Sequence, residues 1–134
     1  MAERRMFAKT IVDSDMFIDM PMSARLLYYD LAMCADDDGF VNSPKKIMRF
    51  VGASVDDMNV LIARQFIIPF ESGVVVITDW RKNNTLKGDR YKPTVYQEEL
   101  GILETQGNSY ILKGSGISSG TRLEPDWNQA GTTV

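Results

Sequence analysis

The sequence predicts an α+β fold, and three observations carry that prediction. Pro44–Val51 and Val55–Gln65 read as two helices separated by only three residues, a join typical of a helix-turn-helix. The second of these runs directly into Phe66-Ile-Ile-Pro-Phe70, which is rich in β-forming residues. A Glu71-Ser72-Gly73 turn then leads into Val74-Val-Val-Ile77, so the two β-rich runs make a hairpin. With an earlier helix in front, this chain order predicts a winged helix-turn-helix: three helices plus a C-terminal β-hairpin wing, then a short helix and a flexible C-terminal tail. Residues 1–100 would be the winged-helix domain, with an N-terminal arm and a basic segment after the wing. Residues 101–134 would be a mostly disordered polar tail, because Gly, Ser and Thr become frequent there, as in Gly114-Ser-Gly-Ile-Ser-Ser-Gly120.

Taking the elements in order, residues 1–20 show no sustained period, and Phe17 and Ile18 are expected to dock on the core. Ser23 is a candidate N-cap for a helix over Ala24–Ala35, in which Ala24, Leu27, Tyr28, Leu31 and Ala35 share one face. Leu26, Tyr29 and Met33 add a second apolar strip, so this helix is central or is covered by a partner. Cys34 falls within it and reads as packing. The consecutive Asp36-Asp37-Asp38 lacks the alternation of a calcium loop, and is expected to be a solvated turn before an extended Phe40-Val41.

Ser43-Pro44 is a strong helix start and Gly52 a stop. Ile47, Phe50 and Val51 are read as the buried side of this helix, with Lys45, Lys46 and Arg49 opposite. Ser54 and Asp57 have the spacing of a capping box. The helix they begin turns Val55, Met58, Leu61, Ile62 and Phe66 inward, leaving Asp56, Asn59, Val60, Ala63 and Arg64 outside. Asn59 and Arg64 are therefore candidates for reading base edges, although Asp56 and Asp57 would lie near phosphates. Pro69 belongs on an edge strand, and the acidic wing tip lacks the basic residue expected of a minor-groove contact. Thr94 and Gln97 mark a short helix over Thr94–Leu100.

Composition limits the function classes. The chain has 134 residues and 44% hydrophobic content, enough for one globular domain. It has no histidine and one cysteine, which removes the commonest catalytic base, makes a zinc site improbable and excludes an internal disulfide. No Gly-rich phosphate loop or nucleophile–base pair is present, so a non-enzymatic protein without cofactor or metal is expected. No apolar run reaches membrane-spanning length and the start lacks a signal-peptide core, so a cytoplasmic location and no membrane partner are expected.

The net charge of −3 argues against DNA, but its distribution does not. Residues 1–43 hold four basic and eight acidic side chains, residues 44–92 nine and five, and residues 93–134 two and five. Within the middle third, Arg81, Lys82, Lys87, Arg90 and Lys92 are suited to phosphates, Asn83 and Asn84 to donating to them, and Tyr91 to stacking.

Several of these stretches also resemble one family. Ala35-Asp-Asp-Asp-Gly-Phe-Val41, Pro44-Lys-Lys-Ile-Met-Arg49, Val76-Ile-Thr-Asp-Trp-Arg81 and Asp89-Arg-Tyr-Lys-Pro-Thr-Val-Tyr-Gln-Glu-Glu99 are similar to the N-terminal domain of phage replisome organisers. These are DnaD-like replication proteins of phages and prophages of Gram-positive bacteria, and the resemblance covers residues 1 to about 100. It implies a winged helix that binds origin DNA in starting phage DNA replication and helps bring the helicase or its loader. It singles out Lys45, Lys46 and Arg49, then Trp80 and Arg81, then Arg90, Tyr91 and Lys92. Longer relatives carry a further C-terminal domain where this sequence has only about thirty-five polar residues, so helicase loading by this chain alone is not expected. The residues leave two other readings open: an interaction or homo-oligomerisation module of the replication machinery, and a transcriptional regulator.

Overall fold

Capping chemistry places the two central helices where the sequence marks them. The computed structural model describes residues 5–84 and 91–113, apart from the side chain of Lys82. In chain order it has α1 Lys9–Val12, α2 Asp15–Ile18, α3 Met22–Met33, β1 Phe40–Val41, α4 Pro44–Val51 and α5 Val55–Ala63. There follow β2 Ile67–Pro69, β3 Val75–Ile77, α6 Trp80–Asn83, α7 Gln97–Gly101, β4 Leu103–Gln106 and β5 Ser109–Leu112. Proline opens α4, and Gly52 closes it in the left-handed conformation (φ 79°) that costs only glycine nothing. Ser54 and Asp57 close a reciprocal capping box at α5.

The fold is α+β with small antiparallel sheets. α3 packs against both α4 and α5 and buries Ala24, Leu27, Tyr28, Leu31 and Ala32. β3 is the middle strand of a three-stranded sheet, pairing with β1 (Phe40↔Val76) and with β2 (Ile68↔Val76). Pro69 accordingly lies in an edge strand, where its missing N–H is harmless. Glu71-Ser72-Gly73 forms a three-residue loop: Gly73 N donates to Phe70 O, Phe70 N to Val74 O, and Gly73 takes φ 93°. Phe17 joins the two halves of the core, with its ring centroid 5.3 Å from that of Tyr28 and 5.6 Å from that of Phe66.

Several expectations are corrected. Ile18 (51% exposed) does not dock on the core beside Phe17, and Val55 (57% exposed), at the first position of α5, is not turned inward. Ser23 does not cap α3: Pro21 does, and the Ser23 hydroxyl donates instead to Asp57 Oδ1 at 2.8 Å, tying α3 to α5. α3 ends at Met33, which leaves Cys34 exposed at its C-cap instead of packed inside a helix. Phe50 is not on the buried side of α4; at about 100° per residue it lies beside Lys46, and Met48 takes the inward position. Thr94 does not begin α7, whose N-cap is Tyr96.

A further correction concerns the tail. Residues 103–112 are an ordered second hairpin, with β4 and β5 paired from Leu103↔Leu112 to Gln106↔Ser109. Its two-residue loop, Gly107-Asn108, has positive φ only at Gly107, as a type II′ turn requires. The hairpin is held because Tyr110 is buried: its N–H donates to Thr78 O at 2.8 Å and its hydroxyl to Asp38 O at 2.9 Å. Residues 114–134, the remainder of the expected tail, lie outside the described residues.

Candidate nucleic-acid interface

The residues singled out by the sequence fall into three groups. The first is the outward face of α4. Projected at about 100° per residue, Pro44, Ile47, Met48 and Val51 cluster toward the core, and Lys45, Arg49, Lys46 and Phe50 follow one another around the outside. Lys45, Lys46 and Arg49 are exposed, and no acidic residue occurs in α4. Phe50 is 78% exposed, with the Lys46 ammonium 6.0 Å from its ring centroid.

The placement of these cations works against the helix. Ser43 precedes Lys46 by three residues, as Ser54 precedes Asp57, but only the second pair closes a capping box. Ser43 makes no side-chain cap bond, and Lys45 and Lys46 occupy the first turn, where the helix dipole disfavours a cation by about 0.3–1 kcal/mol each. Helix stability therefore gives no reason for these two lysines.

The second group is on α5. The Arg64 guanidinium donates to Met16 O at 2.7 Å, and Asn59 Oδ1 is buried without a hydrogen-bond partner. Asp56 and Asp57 are both in the first turn of the helix, Asp56 exposed. The two residues expected to read bases are thus partly drawn into the protein, behind an acidic leading end.

The third group surrounds Asp36–Asp38. The expected solvated turn is instead a buried junction, because backbone and hydroxyl donors from distant segments converge on it. Asp36 Oδ1 accepts from the N–H groups of Asp38 and Phe40. Asp37 Oδ2 accepts from Lys92 N at 3.0 Å, and its Oδ1 is 3.6 Å from Arg5, whose guanidinium also donates to Ala35 O. The Asp38 carboxylate, 1% exposed as a residue, accepts from Tyr91 Oη and from Thr94 N, and lies 3.6 Å from Arg81.

Trp80 completes the junction. Its Nε1 donates to Asp37 O at 2.9 Å, and the Arg5 guanidinium lies 5.1 Å from the ring centroid. Gly39, at φ 93°, lets the ring approach so closely that a Cβ there would sit 2.7 Å from Trp80 Cγ. Asn83 and Asn84, read as phosphate donors, hold the N-terminal arm: their Oδ1 atoms accept from Ala8 N and Met6 N. Asn83 Nδ2 also donates to the Tyr28 hydroxyl.

Three phenol pKa values are raised, two of them at this junction. Partial desolvation of its ring edge against the fold, then the bond to Asp38, pushes Tyr91 from the ordinary 10.0 up to about 12. Burial likewise raises Tyr110, with Arg81 partly opposing it, and raises Tyr28 further, against the Asn83 hydrogen bond.

Among the post-wing candidates, then, the Tyr91 hydroxyl is engaged, Lys92 is anchored through its backbone, and Arg81 lies between Asp38 and the Tyr110 ring (5.8 Å) while its side chain stays 47% exposed. Lys87 and Arg90, with the Lys82 side chain, lie outside the described residues. Sequence reasoning missed Arg5 and Phe50. The first has no local signal; the second was recoverable from its angle on the helical wheel. Among the described residues no group of His, Cys, Asp or Glu is placed to hold a metal ion, and no helix is long and apolar enough to cross a membrane. Comparison with protein-family models, curated proteins and solved structures finds no match to this chain.

Proposed function

We propose that this chain is a non-enzymatic DNA-binding protein of phage or prophage origin that acts in initiating DNA replication in the host cytoplasm. In this reading it is a winged helix, with β2 and β3 as the wing, and it docks DNA against the outer face of α4. One observation carries it: Lys45, Lys46 and Arg49 form an exposed cationic surface on a helix without acids, two of them where the dipole disfavours them. The order α3–β1–α4–α5–β2–β3, with β3 between β1 and β2, agrees with a winged helix, and the motif resemblance to phage replisome organisers supplies the replication context. The wing tip is a weak contact, since Glu71 is acidic and Ser72 donates to Glu99 at 2.8 Å. A helicase or helicase loader would be the partner brought to the DNA.

The test is fluorescence anisotropy with a labelled duplex at several salt concentrations. Affinity should fall steeply with salt, and Lys45→Glu/Lys46→Glu/Arg49→Glu should reduce the log–log slope by about 2–3. Unchanged affinity and slope in that variant would remove α4 from the interface.

A second reading, a self-associating module, is favoured by the outward face of α3. Met22 (76% exposed), Leu26 and Met33 are exposed and, with the half-buried Tyr29 that packs on Phe7, follow the a/d spacing of a heptad. Arg25 and Asp30 then take g and e positions that would pair between parallel copies. A sedimentation profile that shows a dimer dispersed by Leu26→Glu, indifferent to DNA, would favour it.

A further inference from the structure

We infer that Phe50 is a stacking platform for an unpaired nucleobase, so that the α4 face binds single-stranded DNA as well as duplex. This rests on the reading of α4 as the DNA-docking surface and adds what that surface recognises.

Three observations lead there. Phe50 is the most exposed aromatic among the described residues, and it follows Lys45, Arg49 and Lys46 directly around the helix. Tyr91, the other aromatic exposed among the described residues, already has its hydroxyl on Asp38. An isolated surface phenylalanine needs no explanation, but one adjoining an unbroken row of cations has the composition of a strand-binding surface, in which ammonium and guanidinium groups follow phosphates and a ring takes a base.

α5, meanwhile, is poorly equipped to read an intact groove: Arg64 is bonded to Met16 O, Asn59 Oδ1 is buried, and Asp56 stands exposed at its leading end. An aromatic face can use an unpaired base without any hydrogen-bond code. Phenylalanine has no donor or acceptor, so the contact should tolerate any base. The Lys46 ammonium, 6.0 Å from the ring centroid, leaves most of the ring in solvent and adds a charge beside the bound strand.

The experiment uses the full chain and three labelled probes: a twelve-residue oligothymidylate, an abasic strand with the same number of phosphates, and a blunt duplex. The wild type should bind oligothymidylate on the order of tenfold more tightly than the abasic strand. Phe50→Ala should bring oligothymidylate down to the abasic level and weaken the duplex by a smaller factor, because paired bases are stacked away from the ring. Phe50→Trp should restore the preference, with its indole fluorescence quenched by oligothymidylate and not by the abasic strand. Equal binding of oligothymidylate and the abasic strand by the wild type, or an unaltered preference in Phe50→Ala, overturns the inference while leaving duplex docking intact. Failure of the wild type to bind any of the three probes overturns both.

Discussion

The acidic turn at Asp36–Asp38 and the basic face of α4 lie a few residues apart in the chain, yet their charges act in opposite ways. Every carboxylate of the turn faces donors from elsewhere in the fold, among them Arg5, Arg81, Tyr91, Lys92 N and Thr94. The cations of α4 face solvent. Burying a carboxylate is tolerable only when donors replace water. The turn is therefore committed to architecture, and α4 is the region whose charge is free to act on a partner. Charge in a sequence reports neither outcome. What decides is whether distant donors converge on it.

Substitutions on the two sides should separate sharply in stability. The largest loss is expected from Gly39→Ala, which combines a left-handed φ of 93° with a Cβ 2.7 Å from Trp80 Cγ. The ring cannot retreat without giving up its bond to Asp37 O. A loss of at least about 3 kcal/mol is expected from urea unfolding. An unchanged midpoint would mean that Trp80 does not sit against this turn. Asp38→Ala should cost about 2–3 kcal/mol, because it leaves the buried Thr94 N, and the Tyr91 hydroxyl beside it, without their acceptor.

The same contrast explains what was legible in advance. α4 and the start of α5 are local structures: a Ser-Pro start, a Gly stop and a Ser–Asp capping box signal themselves within a few residues. The hairpin of β2 and β3 is nearly as local. The acidic junction is not, since Asp38 draws its partners from positions 81, 91 and 94, and no window of sequence holds them together. The β4–β5 hairpin carried a usable signal in Gly107-Asn108 between two four-residue runs. Abundant Gly and Ser further along obscured it, and the burial of Tyr110 against Asp38 and Thr78 could not be read at all. On α4 the cations were legible because helical period alone places them, whereas Phe50 was drawn inward by hydrophobicity against its angle.

A smaller effect should appear with pH. A phenol whose folded pKa is raised keeps its proton in the native state after the unfolded chain has lost its own. Its stabilising contribution is complete below about pH 10 and is lost as pH rises through about 12 for Tyr91. Stability should therefore decline over that interval, with phenolate absorbance lagging that of the denatured protein. Tyr91→Phe should cost about 1 kcal/mol at neutral pH and flatten part of the decline. Removing the charges of α4 should not flatten it, since none of them is bonded to these phenols.

The smallest change in stability, and the most diagnostic, is expected at Lys46. Position 46 is the third residue of α4, three after Ser43, and a glutamate there can accept from Ser43 N, as Asp57 accepts from Ser54 N at α5. It also exchanges a cation for an anion at the positive end of the helix dipole. Lys46→Glu should therefore raise stability, by about 0.5–1 kcal/mol in urea unfolding, while weakening duplex binding. A residue serving the fold would show the reverse, with a loss of stability accompanying any loss of binding. If Lys46→Glu destabilises the protein, the lysine belongs with Arg5 and Arg81 among the cations held by the architecture, and the division between the two regions fails at that position.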